Sequence, residues 1–269
     1  MNSENRASVQ ARSFRENHGL GVQPLGDLVA LIEQSTGFDV TVLDAEDGEH
    51  GLTMRDPERN KIFIAVARST KPMRQRSSLA HELAHVIFGD WQGEDLAKRS
   101  PEEIRADAFA RHLLIPIEGI RQVLGQRDKV GEAELSEIVQ RFLVSPALAA
   151  IALRDAGYIS QAVASKWMHL TSPALAARYG WSDHYAALQQ DSNTPRSPQK
   201  LLSRAVAGYV EGVVSAQAIA TLRGLRVEQV EQELVDSGIV PVLHSAVEAK
   251  MEDFPTVDID LSDLNSQGR

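Results

Sequence analysis

The sequence contains no cysteine, which excludes disulfide bonds and every metal site that depends on thiolate ligands. Any metal bound by this chain must therefore be held by histidine, aspartate and glutamate, a donor set that suits a catalytic rather than a structural site. Long apolar runs are also absent, since stretches such as 62–67 and 113–116 fall far short of the roughly 20 residues that span a bilayer. The polar N-terminal segment lacks the apolar core of a secretory signal, so we expect a cytoplasmic protein.

An excess of basic residues is likewise missing. The formal net charge is −9 and the isoelectric point is about 5.4. This balance argues against tight non-specific binding of nucleic acid, because that affinity comes largely from neutralising phosphates. With 43% hydrophobic and 24% charged residues, the 269-residue chain has the composition of an ordinary globular protein and the length for one good core and a second.

Hydrophobic periodicity predicts an α+β arrangement in the first half of the chain. Apolar residues at helical spacing indicate a helix over 24–37, and alternation over 38–43 indicates a strand. Two further strands, 51–54 and 61–66, flank the polar turn RDPERN, so we predict a small antiparallel sheet. The order of helix, sheet and helices is typical of an α+β fold rather than an alternating βαβ fold. The predicted helices after the sheet are 75–88, 101–114 and 117–125.

The second half of the chain has the pattern of short helices joined by tight turns. Helices predicted over 134–142 and 147–156 resemble a helix-turn-helix, and helices over 215–223 and 227–237 repeat the arrangement 81 positions later. Many small helical hairpins share this spacing, so the repeat carries little weight alone. The paired positions are Ile138, Leu153 and Gly157 with Ile219, Leu234 and Gly238.

Composition divides the chain into six predicted segments. A polar N-terminal extension with one loose helix comes first, and the α+β domain and a helical region follow. A linker rich in Pro, Ser and Gln leads to a second helical region, and the acidic tail is expected to be disordered. The segments are 1–23, 24–127, 128–188, 189–199, 200–247 and 248–269.

His81, Glu82 and His85 form an HExxH motif in the helix predicted over 75–88. Positions i and i+4 of a helix share a face with Cβ atoms about 5–6 Å apart, so both imidazoles can reach one zinc ion at about 2.0–2.1 Å. Glu82 lies beside the first ligand and can act as general base on a zinc-bound water. The alternative to a metal site is a surface helix that carries two histidines and a glutamate by chance.

The next predicted helix supplies the third protein ligand that a catalytic zinc site needs. Glu103 and Asp107 are four residues apart on one edge of its buried side. We therefore predict that Glu103 binds the metal and that Asp107 accepts a hydrogen bond from a ligand histidine. Glu102 is the competing candidate for the third ligand, but it is turned from Glu103 by about 100° around the helix. The alternative is that both glutamates are solvated charges at the N-terminus of the helix and bind no metal. Phe88 and Trp91 stand where a metzincin has glycine and histidine, which excludes that class.

The segments LAHELAHVIFGD and EIRADAFARHLLIP resemble the ImmA/IrrE family of metallopeptidases, whose pattern is HExxH followed by ExxADxFAxxLLxP. The resemblance covers roughly 24–125 and implies a zincin-like, mini-gluzincin domain with zinc as its metal. It also implies a cytoplasmic endopeptidase that cleaves helix-turn-helix repressors of the XRE type in a stress or mobile-element response. Because about two dozen residues precede the domain, we expect the repressor to be a separate protein. The implied zinc ligands, base and supporting carboxylate are His81, His85, Glu103, Glu82 and Asp107.

Other functions stay open at this stage. A non-catalytic regulator could bind a protein or DNA through its C-terminal helices, although the helices at 147–156 and 227–237 carry few basic residues, which disfavours DNA. A toxin or effector protease of a two-gene system would share the chemistry, and manganese could replace zinc. The strand at 61–66 could receive a substrate at its edge or be an ordinary paired strand. Candidates for stabilising an oxyanion, none of them singled out, include His50, His112 and Tyr158.

Overall fold

The computed structural model describes residues 2–45, 51–91, 100–127 and 129–242. The predictions for His50 and for the tail at 248–269 lie outside these residues. The first elements are α1 (Ser3–Asn17), α2 (Leu28–Thr36), β1 (Asp39–Leu43), β2 (Gly51–Asp56), β3 (Lys61–Ala67), α3 (Pro72–Phe88) and α4 (Pro101–Leu114). The later helices are α5 (Ile117–Leu124), α6 (Glu132–Phe142), α7 (Pro146–Asp155), α8 (Gln161–Trp167), α9 (Ser172–Tyr179), α10 (Ser182–Ser192), α11 (Gln199–Val210), α12 (Ala216–Arg223) and α13 (Val227–Asp236).

The predicted α+β class is confirmed, but the sheet is mixed rather than wholly antiparallel. Its order is β1–β3–β2, with β3 parallel to β1 and antiparallel to β2. Ile64 and Val66 of β3 are buried and pair in register with Val40 and Val42, so the most apolar strand lies at the centre. Strand β3, predicted over 61–66, is therefore not an edge of the described sheet, whereas the exposed β2 is one. Alternation shows which side chains are buried, not which strands are neighbours, so it does not determine the direction of β1.

Helix α1 is part of the main core and not a loose extension. Ala7, Ala11 and Phe14 have helical spacing and are buried where α1 packs on α4. Arg15 is also buried, and its Nε donates to the carbonyl oxygen of Leu113 at 2.7 Å. That carbonyl belongs to the last turn of α4, where no backbone N–H of the helix can reach it. Helix α1 therefore covers α4, and its Arg15 supplies the hydrogen bond that the last turn of α4 lacks.

The described helices and strands form two separate apolar cores. The first runs from Ala7 in α1 to Tyr185 in α10 and includes the sheet, and the second runs from Ala205 to Leu234 in α11–α13. No break in the first core coincides with the boundary predicted between 127 and 128. The six-segment division stays a prediction.

The segment predicted as a linker, 189–199, is ordered against the sheet. It includes the end of α10, and Arg196 then forms a bridge with Val42 of β1 through two N–O hydrogen bonds of 2.8 and 2.9 Å. Gln199 donates its N–H to the buried Glu33 at 3.0 Å. The composition of this segment indicated a linker, and its backbone hydrogen bonds attach it to the sheet.

The internal repeat is visible in the burial of its paired positions. Ile138 and Ile219 are 0% and 2% exposed, and Leu153 and Leu234 are 0% and 5% exposed. The two helical hairpins, α6–α7 and α12–α13, therefore bury equivalent side chains in two different cores.

No single helix among the described residues is long and apolar enough to cross a bilayer. Helices α6 and α7 satisfy such a test only as a pair, and the chain bends by 110° between them. The bend includes Leu143 at a φ of 54°, and Gly224 has a φ of 64° in the equivalent turn. Both turns need a left-handed residue, but only the second has the glycine that adopts it without steric cost.

Candidate metal centre

Helices α3 and α4 pack side by side and carry the residues selected by sequence spacing. Helix α3 begins with Pro72 and ends at Gly89, whose φ of 75° lets the chain turn away. Helix α4 begins after Ser100, whose hydroxyl accepts the N–H of Glu103 at 3.2 Å, with Pro101 in the first turn. This cap fixes the first turn of α4, in which Glu103 faces α3.

His81, His85 and Glu103 converge, with one nitrogen or oxygen atom from each lying within 4.8 Å of the others. The two Nε2 atoms are 3.0 Å apart, and each is 3.3 Å from a different carboxylate oxygen of Glu103. Glu103, rather than its neighbour Glu102, thus directs a carboxylate at the imidazoles. The rotation of about 100° per residue around a helix explains the difference.

These separations fit a shared metal ion. Ligand atoms about 2.0–2.1 Å from a tetrahedral centre lie about 3.3–3.4 Å from one another. The nitrogen–oxygen separations here are 3.3 Å and the nitrogen–nitrogen separation is 3.0 Å. Two imidazole lone pairs and a carboxylate that face one another repel unless a proton or a metal cation lies between them. The three residues therefore have the donor chemistry and the spacing to hold a metal.

Each of these histidines also meets a carboxylate through its other ring nitrogen. His81 Nδ1 lies 2.9 Å from Asp107 Oδ1, and His85 Nδ1 lies 3.4 Å from Asp90 Oδ2. These partners assign the imidazole proton to Nδ1, which leaves Nε2 as the ligand atom. Such contacts orient the ring and make it a stronger ligand. Sequence spacing had indicated Asp107, whereas Asp90 was not predicted.

Asp90 reaches His85 because of the way α3 ends. Its N–H donates to the carbonyl oxygen of His85 at 2.9 Å, a Schellman arrangement that folds the residue after Gly89 back over the last turn. Arg105 of α4 then holds Asp90, with Nη2 at 2.6 and 2.9 Å from the two carboxylate oxygens. Its guanidinium also lies 4.4 Å from the centre of the Phe88 ring. The glycine–aspartate pair after the helix was a usable signal for Asp90, but no motif marked Arg105.

Glu82 lies beside these residues and faces strand β2. Thr53 Oγ1 donates to Glu82 Oε2 at 2.8 Å. A Cβ atom added at Gly51 would lie 2.6 Å from both Cγ and Oε1 of Glu82, so a side chain there would push the carboxylate aside. Strand β2 therefore positions the Glu82 carboxylate. Neither Gly51 nor Thr53 is distinguished by sequence pattern, because the contact depends on how the sheet packs on α3.

The charges around His81 favour its protonated form. Burial alone would lower the pKa of His81, but the hydrogen bond to Asp107 and the nearby carboxylates of Glu103 and Glu82 outweigh it and raise the pKa above its ordinary value. A metal must displace this proton in order to bind, so acid weakens metal binding at such a site.

The remaining candidates from the sequence make other contacts. His112 Nε2 is 2.6 Å from Glu4 Oε1, and the Tyr158 hydroxyl donates to the carbonyl oxygen of Gly125 at 2.6 Å. Both side chains thus join secondary-structure elements to each other. The structure does not bring either of them to the histidine pair within the part of the chain that it describes.

Comparison with known proteins agrees with this geometry. Residues 35–154 match the model of a peptidase family described as the IrrE N-terminal-like domain. The chain is also 26% identical over 255 residues to the radiation response metalloprotease IrrE of Deinococcus deserti. That alignment covers 79% of this chain and 86% of the relative. The matched family domain runs from the end of α2 to α7 and so includes every residue of the centre.

Proposed function

Residues 35–154 belong to the ImmA/IrrE family of metallopeptidase domains, and from this premise we propose that the chain is a zinc-dependent endopeptidase. The main support is the convergence of His81, His85 and Glu103 beside Glu82. Two imidazoles and one carboxylate form one of the common protein ligand sets of catalytic zinc sites and suit zinc better than manganese. Bound zinc lowers the pKa of water to about 7 and polarises the carbonyl group of a peptide bond.

In this proposal Glu82 is the general base. Thr53 holds one carboxylate oxygen of Glu82, and the other faces Gly51, where the missing side chain leaves room. Glu82 takes a proton from the attacking water and returns it to the nitrogen of the leaving amine. Asp107 and Asp90 keep the Nε2 atoms of the two ligand histidines directed at the metal.

The proposed substrate-binding strand is β2. It is an edge of the described sheet, and its Thr53 contacts the proposed base, so an extended peptide paired with β2 would run past Glu82. Hydrogen bonds between main chains would then bind the substrate without reading its side chains. This assignment replaces the one to β3, which has partners on both sides.

The proposed substrate is a helix-turn-helix repressor of the XRE type, cleaved in the cytoplasm during a stress or mobile-element response. The family resemblance supports this choice, and the relative from Deinococcus deserti is named for a radiation response. A non-catalytic regulator and the protease of a toxin or effector system are the competing functions. A cleavage assay combined with metal analysis distinguishes the proposed function from these two.

The test combines metal analysis with cleavage of one defined substrate. Protein purified without added ions is analysed for zinc and manganese and is then incubated with the XRE-type repressor encoded nearest to its own gene. We expect about one zinc per chain and two repressor fragments. Glu82→Gln should retain zinc and lose about 100- to 10,000-fold in rate, whereas His85→Ala should lose both zinc and cleavage.

The exposed Glu118→Gln provides the matched control and should cleave at the normal rate. Normal cleavage by Glu82→Gln would show that the base is wrongly assigned. Zinc binding without cleavage of the repressor would favour the competing functions. Full cleavage after removal of all metal would exclude the zinc mechanism.

A further inference from the structure

Arg55 lies on the face of β2 that is turned toward the candidate metal centre. Side chains alternate along a strand, so Gly51, Thr53 and Arg55 share one face. The first two approach the Glu82 carboxylate, and the guanidinium of Arg55 lies 5.7 Å from the centre of the Trp91 ring. Trp91 directly follows the aspartate that contacts the second ligand histidine. A positive charge thus lies beside the proposed catalytic residues, on the proposed substrate-binding strand.

The charge of Arg55 is in no ion pair within the described part of the chain. Its Nη2 donates to the side-chain oxygen of Asn60 at 3.2 Å, and its guanidinium also contacts the ring of Trp91. Both partners are uncharged. Asp56, the next residue of the strand, lies on the other face and pairs with Arg59 at 3.4 Å. Arg55 is an exposed residue, so a peptide bound to β2 can approach its charge.

A carboxylate is the side-chain group that best fits this guanidinium. Arginine presents five N–H donors in a planar fork, and a carboxylate can accept two of them side by side. The contacts with Trp91 and Asn60 restrain the guanidinium, so less side-chain freedom is lost when a carboxylate binds. An aspartate or glutamate of the substrate would therefore gain an ion pair on β2 that a neutral residue lacks.

Strand geometry defines where in the substrate this acidic residue lies. Residues two apart on a strand are separated by about 7 Å, and directly opposite residues of paired strands share a face. Because Thr53 contacts the proposed base, the peptide residue opposite Arg55 lies about two positions from the cleaved bond. The adjacent peptide residues lie on the other face, where Leu52 and Met54 are 55% and 54% exposed. The acidic preference is thus confined to one position.

We propose that Arg55 forms a subsite that selects an aspartate or glutamate of the substrate about two residues from the cleaved bond. This subsite rests on the proposed function, because the peptide must pair with β2. Hydrogen bonds between main chains select no sequence, so Arg55 adds a preference that the pairing itself lacks. The substrate class is an extended segment with one acidic side chain on the face turned toward the metal centre.

The test uses a library of synthetic peptides of random sequence, each about ten residues long and so able to pair with the whole of β2. The full 269-residue chain, loaded with zinc, is incubated with the library, and mass spectrometry identifies the cleaved bonds. We expect Asp and Glu to be enriched about 2- to 5-fold at one position near the cleaved bond, as an exposed ion pair allows. The enrichment should shrink as the salt concentration rises.

Charge variants of two arginines in the same hairpin assign the preference. Arg55→Gln should abolish the enrichment of acidic residues, and Arg55→Glu should replace it with enrichment of Lys and Arg at the same position. Arg59→Gln is the matched control, because it changes the net charge by the same amount as Arg55→Gln. Its side chain lies in the turn, is 81% exposed and pairs with Asp56, so this variant should keep the acidic preference. Circular dichroism checks that each variant is folded.

Peptide capture separates a failure of this subsite from a failure of the proposed function. Glu82→Gln, which should bind zinc without cleaving, selects peptides from the same library by affinity. Acidic enrichment that is lost when Arg55→Gln is added to Glu82→Gln would support the subsite even if the native chain cleaves nothing. Cleavage without any acidic preference would overturn the subsite and leave the proposed peptidase intact.

Further results would also overturn the subsite. One is an absence of acidic enrichment in capture when the native chain cleaves no peptide. Another is an acidic preference that a folded Arg55→Gln variant leaves unchanged, because the preference would then come from other groups. A loss in Arg59→Gln as large as that in Arg55→Gln would show a general effect of charge rather than a subsite on β2.

Discussion

The two candidate ligand histidines are supported by carboxylates in very different surroundings. The side chain of Asp107 is 78% exposed, whereas that of Asp90 is 12% exposed and paired with Arg105, which is 11% exposed. Water competes with the contact to Asp107 but is largely excluded from the contact between Asp90 and Arg105. The contact of Asp90 with His85 is therefore the better shielded from water, although at 3.4 Å it is longer than the 2.9 Å contact of Asp107 with His81.

Asp90→Asn should weaken zinc binding by about 10- to 100-fold and should have a larger effect than Asp107→Asn. The reason is that the uncharged amide would leave the buried guanidinium of Arg105 without its anion and would release the His85 ring. Competition with a chromophoric chelator measures both affinities, with the exposed Asp183→Asn on α10 as the control. An equal loss of zinc affinity in the two variants would contradict the idea that Asp90 supports its histidine more strongly than Asp107 does.

At this scale the sequence identified side chains on one helix face but not contacts between elements. The spacing of His81, His85 and Glu103 placed them on facing edges of two helices, and the structure brings them together. Arg105 and Thr53 were not predictable, because their contacts depend on the rotation of α4 and the packing of the sheet.

At the scale of elements, α1 acts as the cap of α4. Arg15 donates to the carbonyl oxygen of Leu113 and also, through Nη1, to those of Gly21 and Gln23 at 2.8 and 3.0 Å. Burial lowers the pKa of Arg15 to about 10, so the guanidinium stays charged at neutral pH. One buried cation therefore connects the end of α4 with the loop after α1.

Arg15→Ala should lower the free energy of unfolding by about 2–4 kcal/mol, because three buried or partly buried carbonyl groups lose a charged donor. Arg12→Ala, on the same helix, is the matched control. Its side chain is 65% exposed and lies 3.7 Å from Glu118, so we expect a change within about 0.5 kcal/mol. Urea unfolding followed by circular dichroism gives both free energies. A similar loss of stability in the two variants would show that Arg15 does not cap α4.

The junction of α1 with α4 should also make stability depend on pH. Burial lowers the pKa of His112 below 6.5, although the hydrogen bond with Glu4 opposes the shift. Burial would raise the pKa of Glu4, but the hydrogen bonds with Arg111 and His112 lower it below 4.5. In both cases the unfolded chain takes up a proton at a higher pH than the folded chain, so acid destabilises the fold.

The contribution of His112 is lost as the pH falls from about 6.5 through the lower pKa of the folded state. His112→Gln should therefore reduce the loss of stability between about pH 7 and about pH 5.5. Urea midpoints at the two pH values, measured for both proteins, provide the comparison. An identical loss in the two proteins would mean that His112 does not contribute to the acid sensitivity.

Element boundaries were largely predictable, but neighbours in space were not. The helix over 101–114 and the strands near 39–43 and 61–67 follow from apolar spacing and from proline and glycine at helix ends. The burial of α1 was also readable from the spacing of Ala7, Ala11 and Phe14. The direction of β1 and the bridge at Arg196 depend on backbone hydrogen bonds between distant segments, which no local pattern encodes.

At the scale of the whole molecule, the described residues form two cores, and the three tryptophans report on the first of them alone. The chain contains three tryptophans, Trp91, Trp167 and Trp181, and all pack in or against the core beside the candidate metal centre. Leu153 and Leu234 occupy equivalent repeat positions in the first and second cores. Truncating each leucine therefore tests whether the cores unfold together.

Leu153→Ala and Leu234→Ala should each cost about 2–5 kcal/mol in their own core. We expect Leu153→Ala to lower the melting temperature seen by both tryptophan fluorescence and circular dichroism. Leu234→Ala should shift part of the circular dichroism signal and leave the fluorescence transition in place. Equal shifts of both signals in both variants would show that the chain unfolds as one cooperative unit.

Strand β2 has a consequence for the purified protein. Leu52 and Met54 are 55% and 54% exposed on this edge strand, and side chains of that kind do nothing to discourage another molecule from joining the sheet. We expect that in concentrated solution two copies would pair along their β2 strands, and each would then occupy the strand that we assign to the peptide. At high concentration the protein would then act as its own competitive inhibitor, and dilution would restore its activity.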